Sequence, residues 1–145
     1  MKDLFQEQLD KYLDKMHELN TKDIMTLGQF IKELEKFNPD SIVTLEPLEL
    51  YPTDFDSYRG YYCDLALGYT TRDGVENRPC VKDLLQKAKE CIGKEFTGYK
   101  GGEFTMSEDT PLWISNYGEV AGTVIAEVKE PLDGYVEIHC YKREN

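Results

Sequence analysis

The segment TLGQFIKELEKFNPDSIVTL, residues 26–45, changes its hydrophobic period once and abruptly. Leu27, Phe30, Ile31, Leu34 and Phe37 recur at helical spacing, and Thr26 stands before them as an N-cap. Asn38-Pro39-Asp40 stops the helix, because a proline drives the residue before it out of the helical region. Ser41 to Leu45 then reads as a buried strand rich in β-branched side chains. A helix, a tight turn and a strand make a mixed start, and the rest of the chain has to supply a sheet for that helix to cover.

The remaining segments fit that demand. Leu4, Leu9, Leu13 and Met16 recur at roughly helical spacing among acids and lysines, so residues 1–20 read as an amphipathic helix. Such a helix either packs on its own domain or serves as an oligomerisation arm. Glu46 to Ser57 carries two prolines and several acids and reads as a loop. Tyr61 to Tyr69 alternates well enough for a strand, and Asp73-Gly74 marks a turn in the polar connection that follows. Cys80 to Ile92 is a second amphipathic segment, with Val81, Leu84, Leu85, Ala88 and Ile92 on one face and Gly93 at the C-cap position. After it, Phe96 to Met106 predicts strand, turn, strand, and Pro111 to Ser115 a short apolar strand. Thr123 to Lys129 and Tyr135 to Tyr141 predict two strands joined through Pro131, Asp133 and Gly134. The expected class is α+β: one small domain over residues 1–145, with N-terminal amphipathic helices, a mostly antiparallel sheet and one further packed helix.

Composition narrows the function classes. The formal net charge is −11, which repels a DNA or RNA backbone, so long nucleic acid is not an expected partner. A small anion is still compatible, since one or two cations and some backbone N–H groups suffice to hold it. An apolar run long enough to span a bilayer is absent, and the acid-dotted N-terminus does not read as a signal peptide, so a cytoplasmic location is expected and no membrane partner. The four cysteines form no CxxC pair and only two histidines accompany them. No metal site, no cofactor and no disulfide framework is expected; Cys91 and Cys140 read as buried free thiols.

Two stretches combine a cation with aromatics and glycine. In SYRGYY, residues 57–62, Arg59 sits among Tyr58, Tyr61 and Tyr62, with Gly60 permitting close backbone approach. In FTGYKGGEFTM, residues 96–106, Tyr99 and Lys100 precede Gly101 and Gly102, whose N–H groups can face an anion. The alternative readings are an arginine ordering a loop on its tyrosines and a tight hairpin with a surface lysine. Thr110 and Trp113 follow a cluster of hydrogen-bonding residues, Ser107 to Thr110; Trp113 is either a base platform or core. Asp64, Glu103, Glu108 and Asp109 are of the type that binds magnesium, at no distinguishing spacing. No catalytic constellation appears, and neither His17 nor His139 is placed for catalysis.

With these motifs in view, residues 25–128 resemble a family of small bacteriophage and bacterial proteins of largely unassigned function. The segments that carry the resemblance are Ser57 to Tyr62, Asp64-Leu65-Ala66, Phe96 to Met106 and Thr110 to Trp113. A phage setting implies an anti-defence role. One such role is a sponge, which binds and sequesters a nucleotide second messenger, most readily a cyclic dinucleotide, without cleaving it. A symmetric ligand would suit a homo-oligomer. The expected ligand-binding residues are then Tyr58, Arg59, Gly60, Tyr61, Tyr99, Lys100, Gly101, Gly102, Thr110 and Trp113, with Tyr62 the tyrosine expected in the core. The alternatives are an acidic inhibitor or adaptor that binds a host protein, and an enzyme acting on a nucleotide.

Overall fold

The computed structural model describes residues 4–47, 49–59, 61–73, 78–98, 101–115 and 122–143. Three helices and eight strands make an α+β domain: α1 (Leu4–Thr21), α2 (Leu27–Leu34), β1 (Ile42–Glu46), β2 (Tyr51–Ser57), β3 (Leu65–Thr70), α3 (Val81–Glu90), β4 (Glu95–Thr97), β5 (Glu103–Thr105), β6 (Leu112–Ile114), β7 (Thr123–Leu132) and β8 (Tyr135–Lys142). Six strands form one sheet in the order β1-β8-β7-β6-β3-β2, and β4 and β5 form a separate hairpin. β1 runs parallel to β8 and β3 parallel to β6; the other pairings are antiparallel.

The two edges of the sheet meet at one corner. Leu45 and Leu50 exchange both backbone hydrogen bonds, at 2.7 and 3.0 Å, so β1 and β2 touch although they end the strand order on opposite sides. The sheet is therefore strongly curled, as accumulated strand twist favours. One face of it takes α2 and α3. Leu27, Phe30, Ile31 and Leu34 of α2 meet Val81, Leu84 and Ala88 of α3 over Val43, Leu65, Leu67, Leu112 and Ile138. The Thr26 N-cap is completed by Gln29, whose side chain returns to the Thr26 N–H as a capping box. The turn before β6 also holds this helix start: Leu27 N–H donates to Thr110 O and Gly28 N–H to Glu108 O.

Several boundaries differ from expectation. The segment read as a loop contains β2. Pro52 and the acids Asp54 and Asp56 hide its alternation, and an edge strand accepts both because one of its sides has no ladder to complete. The next strand starts at Leu65 rather than Tyr61, since residues 61–64 turn to send Asp64 N–H back to Tyr61 O. Ile92 lies past the end of α3 and is exposed. Pro131 lies inside β7, and the reversal is made at Asp133-Gly134. The turn expected at Asp73-Gly74 falls partly outside the described residues.

α1 is amphipathic as expected, yet its apolar stripe is exposed: Leu4, Leu9, Tyr12, Leu13, Met16 and Leu19 all face solvent, Leu4 at 68% and Tyr12 at 60%. Its last turn is the part tied down. Arg143 donates to Asn20 O at 2.6 Å, His17 meets Asp64, and Asn20 reaches the Tyr61 hydroxyl. No described helix is long and apolar enough to cross a membrane.

Candidate functional site

Strand alternation decides which side chains leave the main core. On β3 and β6, Leu65, Leu67, Leu112 and Ile114 point to the helices, so Ala66 and Trp113 point to the opposite face. Register pairs Ala66 with Trp113 and Trp113 with Val124. These residues, with Ile24 and Tyr58, form a second small core under the end of α1. Tyr58 lies flat on Trp113, ring centroids 4.5 Å apart at an interplanar angle of 4°. Both are buried, at 1% and 4% exposure. The Tyr58 hydroxyl accepts from Gly122 N–H at 2.8 Å. The expectation that Tyr58 and Trp113 offer faces to a base is thus corrected: each already covers the other. Tyr62, expected in the core, is half-buried instead, because it sits in the turn and not in a strand.

Beneath this stack lies a buried carboxylate. Asp64 is 1% exposed. Trp113 Nε1–H donates to its Oδ2 at 2.9 Å, and His17 Nε2 lies 3.0 and 2.9 Å from Oδ1 and Oδ2. A buried charge needs such partners, since losing one is far costlier than the pair is worth. Tyr61 packs edge-on to the His17 ring at 4.6 Å and so braces it. The Cys63 thiol lies 3.8 Å from His17 Nε2 and 3.7 Å from Asp64 Oδ1. Burial and then the Asp64 carboxylate push this thiol up to about 11. Cysteine and aspartate approach the same imidazole nitrogen, so the histidine cannot relay a proton between them, and a thiol held protonated is a poor nucleophile.

The two cation-bearing stretches meet. A Cβ placed on Gly98 would lie 3.0 Å from Tyr62 Cβ and 3.0 Å from the Phe104 ring, so Tyr62 rests directly on the β4–β5 hairpin. Tyr62 and Phe104 ring centroids are 6.5 Å apart. Beside this contact opens a cleft of about 540 Å³. Ala66 and Gly68 of β3 line it, β2 contributes Thr53 to Ser57, and Arg59, Thr97 and Ser115 complete the lining. Asp54 is paired with Lys87 at 3.0 Å. With Arg59 at hand, the cleft is closer to electrical balance than a chain of net charge −11 would suggest.

Of the other expected site residues, Tyr61 packs on the second core and Arg59 is exposed at the cleft. Gly101 and Gly102 both have positive φ and build the hairpin turn. Gly101 N–H donates to Gly98 O, so that amide is committed within the turn and not offered to an anion. Thr110 is buried, its hydroxyl accepting from Ser107 N–H while its carbonyl holds α2; this corrects its expected ligand role. Gly60, Tyr99 and Lys100 lie outside the described residues. Asp64 does not gather with Glu103, Glu108 or Asp109; among the described residues the group of possible metal-binding side chains is His17, Cys63 and Asp64. Sequence reading missed this group because His17 stands 46 residues before Cys63, with no spacing to betray it.

Comparison of the chain with protein-family models, with curated proteins and with solved structures finds no match.

Proposed function

We propose that the protein works by binding and not by catalysis, and that it holds a small anionic ligand of the nucleotide class in the cleft beside Arg59. The observation that supports this most is the convergence of the two stretches: Arg59 from one and Thr97 from the edge of the other line a single cleft, and Tyr62 packs against Gly98. Arg59 supplies the planar cation for a phosphate. Thr53, Thr97 and Ser115 line the cleft with hydroxyls suited to sugar or base edges, and Ala66 and Gly68 form a floor low enough for close approach. Because Tyr58 and Trp113 are used internally, the ligand is held by hydrogen bonds and charge more than by stacking. The resemblance to phage proteins makes a defence signal, such as a cyclic dinucleotide, the proposed ligand, sequestered and released intact.

A second reading, that of an acidic adaptor for another protein, is favoured by the exposed apolar face of α1. The two separate in one experiment. Thermal unfolding is followed against a panel of mono-, di- and cyclic nucleotides. A true ligand at a hundred times its dissociation constant adds about 2.7 kcal/mol, a shift of several degrees for a domain of this size. Arg59→Ala should abolish the shift and leave the unliganded melting temperature within a degree or so. Recovery of unchanged nucleotide supports sequestration, and recovery of product makes the protein an enzyme. A flat response across the panel transfers the function to α1.

A further inference from the structure

We propose that His17, Cys63 and Asp64 form a site for one divalent transition metal of the zinc type, which pins α1 to the sheet. Asp64 is already satisfied without Cys63: Trp113 Nε1–H and His17 Nε2 serve both its oxygens. The thiol adds only a long contact to a carboxylate that does not need it, and it crowds the same spot, 3.7 Å from Asp64 Oδ1 and 3.8 Å from His17 Nε2. A cation at the centre of the three groups relieves that crowding.

The triangle has the right size. Tetrahedral zinc with nitrogen, sulfur and oxygen ligands separates its donor atoms by roughly 3.4 Å for N···O and roughly 3.6 Å for S···N and S···O. The observed edges are 3.0 Å from His17 Nε2 to Asp64 Oδ1, 3.8 Å from Cys63 Sγ to His17 Nε2 and 3.7 Å from Cys63 Sγ to Asp64 Oδ1. Each edge is within about 0.4 Å of the metal-bound value. One imidazole, one thiolate and one carboxylate make a borderline set that selects zinc-like ions over magnesium or calcium, which take oxygen alone. Asp64 Oδ2 stays with Trp113, the outer contact that fixes a ligating carboxylate. Cys63 is exposed, which leaves a way in. On loading, Cys63 binds as the thiolate, its proton leaving to solvent, and His17 binds through an Nε2 that carries no hydrogen.

The test uses the full chain. Cobalt(II) is titrated in while the near-ultraviolet thiolate charge-transfer band and the emission of the single tryptophan are recorded. The expected result is saturation at one equivalent, with the band appearing and Trp113 quenched together, and zinc reversing both. Cys63→Ser changes an exposed side chain, so circular dichroism should be unaltered, while the band disappears and zinc affinity falls at least about tenfold. Cys80→Ser should retain the band. Absence of a thiolate band overturns the site, as does a band that survives Cys63→Ser. Binding of several equivalents that Cys63→Ser leaves unchanged assigns the metal to the acidic surface and also overturns it.

Discussion

Gly28 shows how a single residue can have its usual rule reversed. It lies in the first turn of α2, where replacing glycine by alanine normally stabilises a helix by about 1 kcal/mol. A Cβ there would stand 3.0 Å from Glu108 O and 3.1 Å from Glu108 Cβ, and the same Glu108 carbonyl accepts the Gly28 N–H at 2.8 Å. The backbone cannot yield to the methyl group without giving up that hydrogen bond. Overpacking of this kind costs roughly 1–3 kcal/mol, more than the propensity gain. Gly28→Ala is therefore expected to lower the urea midpoint at unchanged slope; a rise in the midpoint would show that the Ser107–Thr110 turn is a loose cover and not a clamp. None of this was legible in the sequence, where Ser107 to Thr110 looks like a set of ligand groups. Nothing in its own order reveals that its carbonyls are turned toward a helix eighty residues upstream. Tyr58 and Trp113 misled for the same reason. An aromatic beside an arginine or near a proline looks available until the fold stacks it on another aromatic.

Elements were read in proportion to how local their determinants are. α2 and α3 were legible because period, cap and stop signals lie within each segment, and the Thr26 cap and Gly93 at φ 79° stand where the sequence put them. β2 was not, because Pro52, Asp54 and Asp56 are tolerated only at the edge of a sheet whose order the sequence does not state. α1 was legible as a helix but not in its placement. In the structure Leu9, Tyr12, Met16 and Leu19 follow a three-four spacing along its exposed side, which is the seam that a second helix fills. Leu13 flanks that seam and widens it. With its last turn tied down by Arg143, His17 and Asn20, the helix presents this face in a fixed direction, and the homo-oligomer expected from the resemblance would form along it. The chain is then expected to run as a homo-oligomer in light scattering at micromolar concentration, and Tyr12→Glu to reduce it to the monomer mass without loss of helix signal. A wild-type chain that is already monomeric would leave α1 to the adaptor reading.

At the scale of the whole molecule, the sheet sets the last strand of the chain beside the first, curls until β1 and β2 meet at one corner, and carries two cores, one on each face. This arrangement takes thiols on unrelated elements wholly or partly out of solvent. Burial pushes Cys140 of β8 up to about 12, and Cys91 at the end of α3 up to about 11, chiefly by loss of solvent; Cys63 also stands at about 11. In the unfolded chain each titrates near 9.0. The folded protein therefore holds protons that the unfolded one gives up between these values. Stability is complete below about pH 9 and declines as pH rises through the folded-state values, because the unfolded state then binds fewer protons. Cys140 alone contributes a slope on the order of 1 kcal/mol per pH unit in that window. Urea midpoints measured from about pH 8 to about pH 11 should fall, and Cys140→Ala, despite a lower starting stability, should show a shallower fall. A variant whose midpoint declines as steeply as the wild type would assign the alkaline loss to surface lysines and tyrosines, and would mean that water reaches the Cys140 sulfur in the folded state.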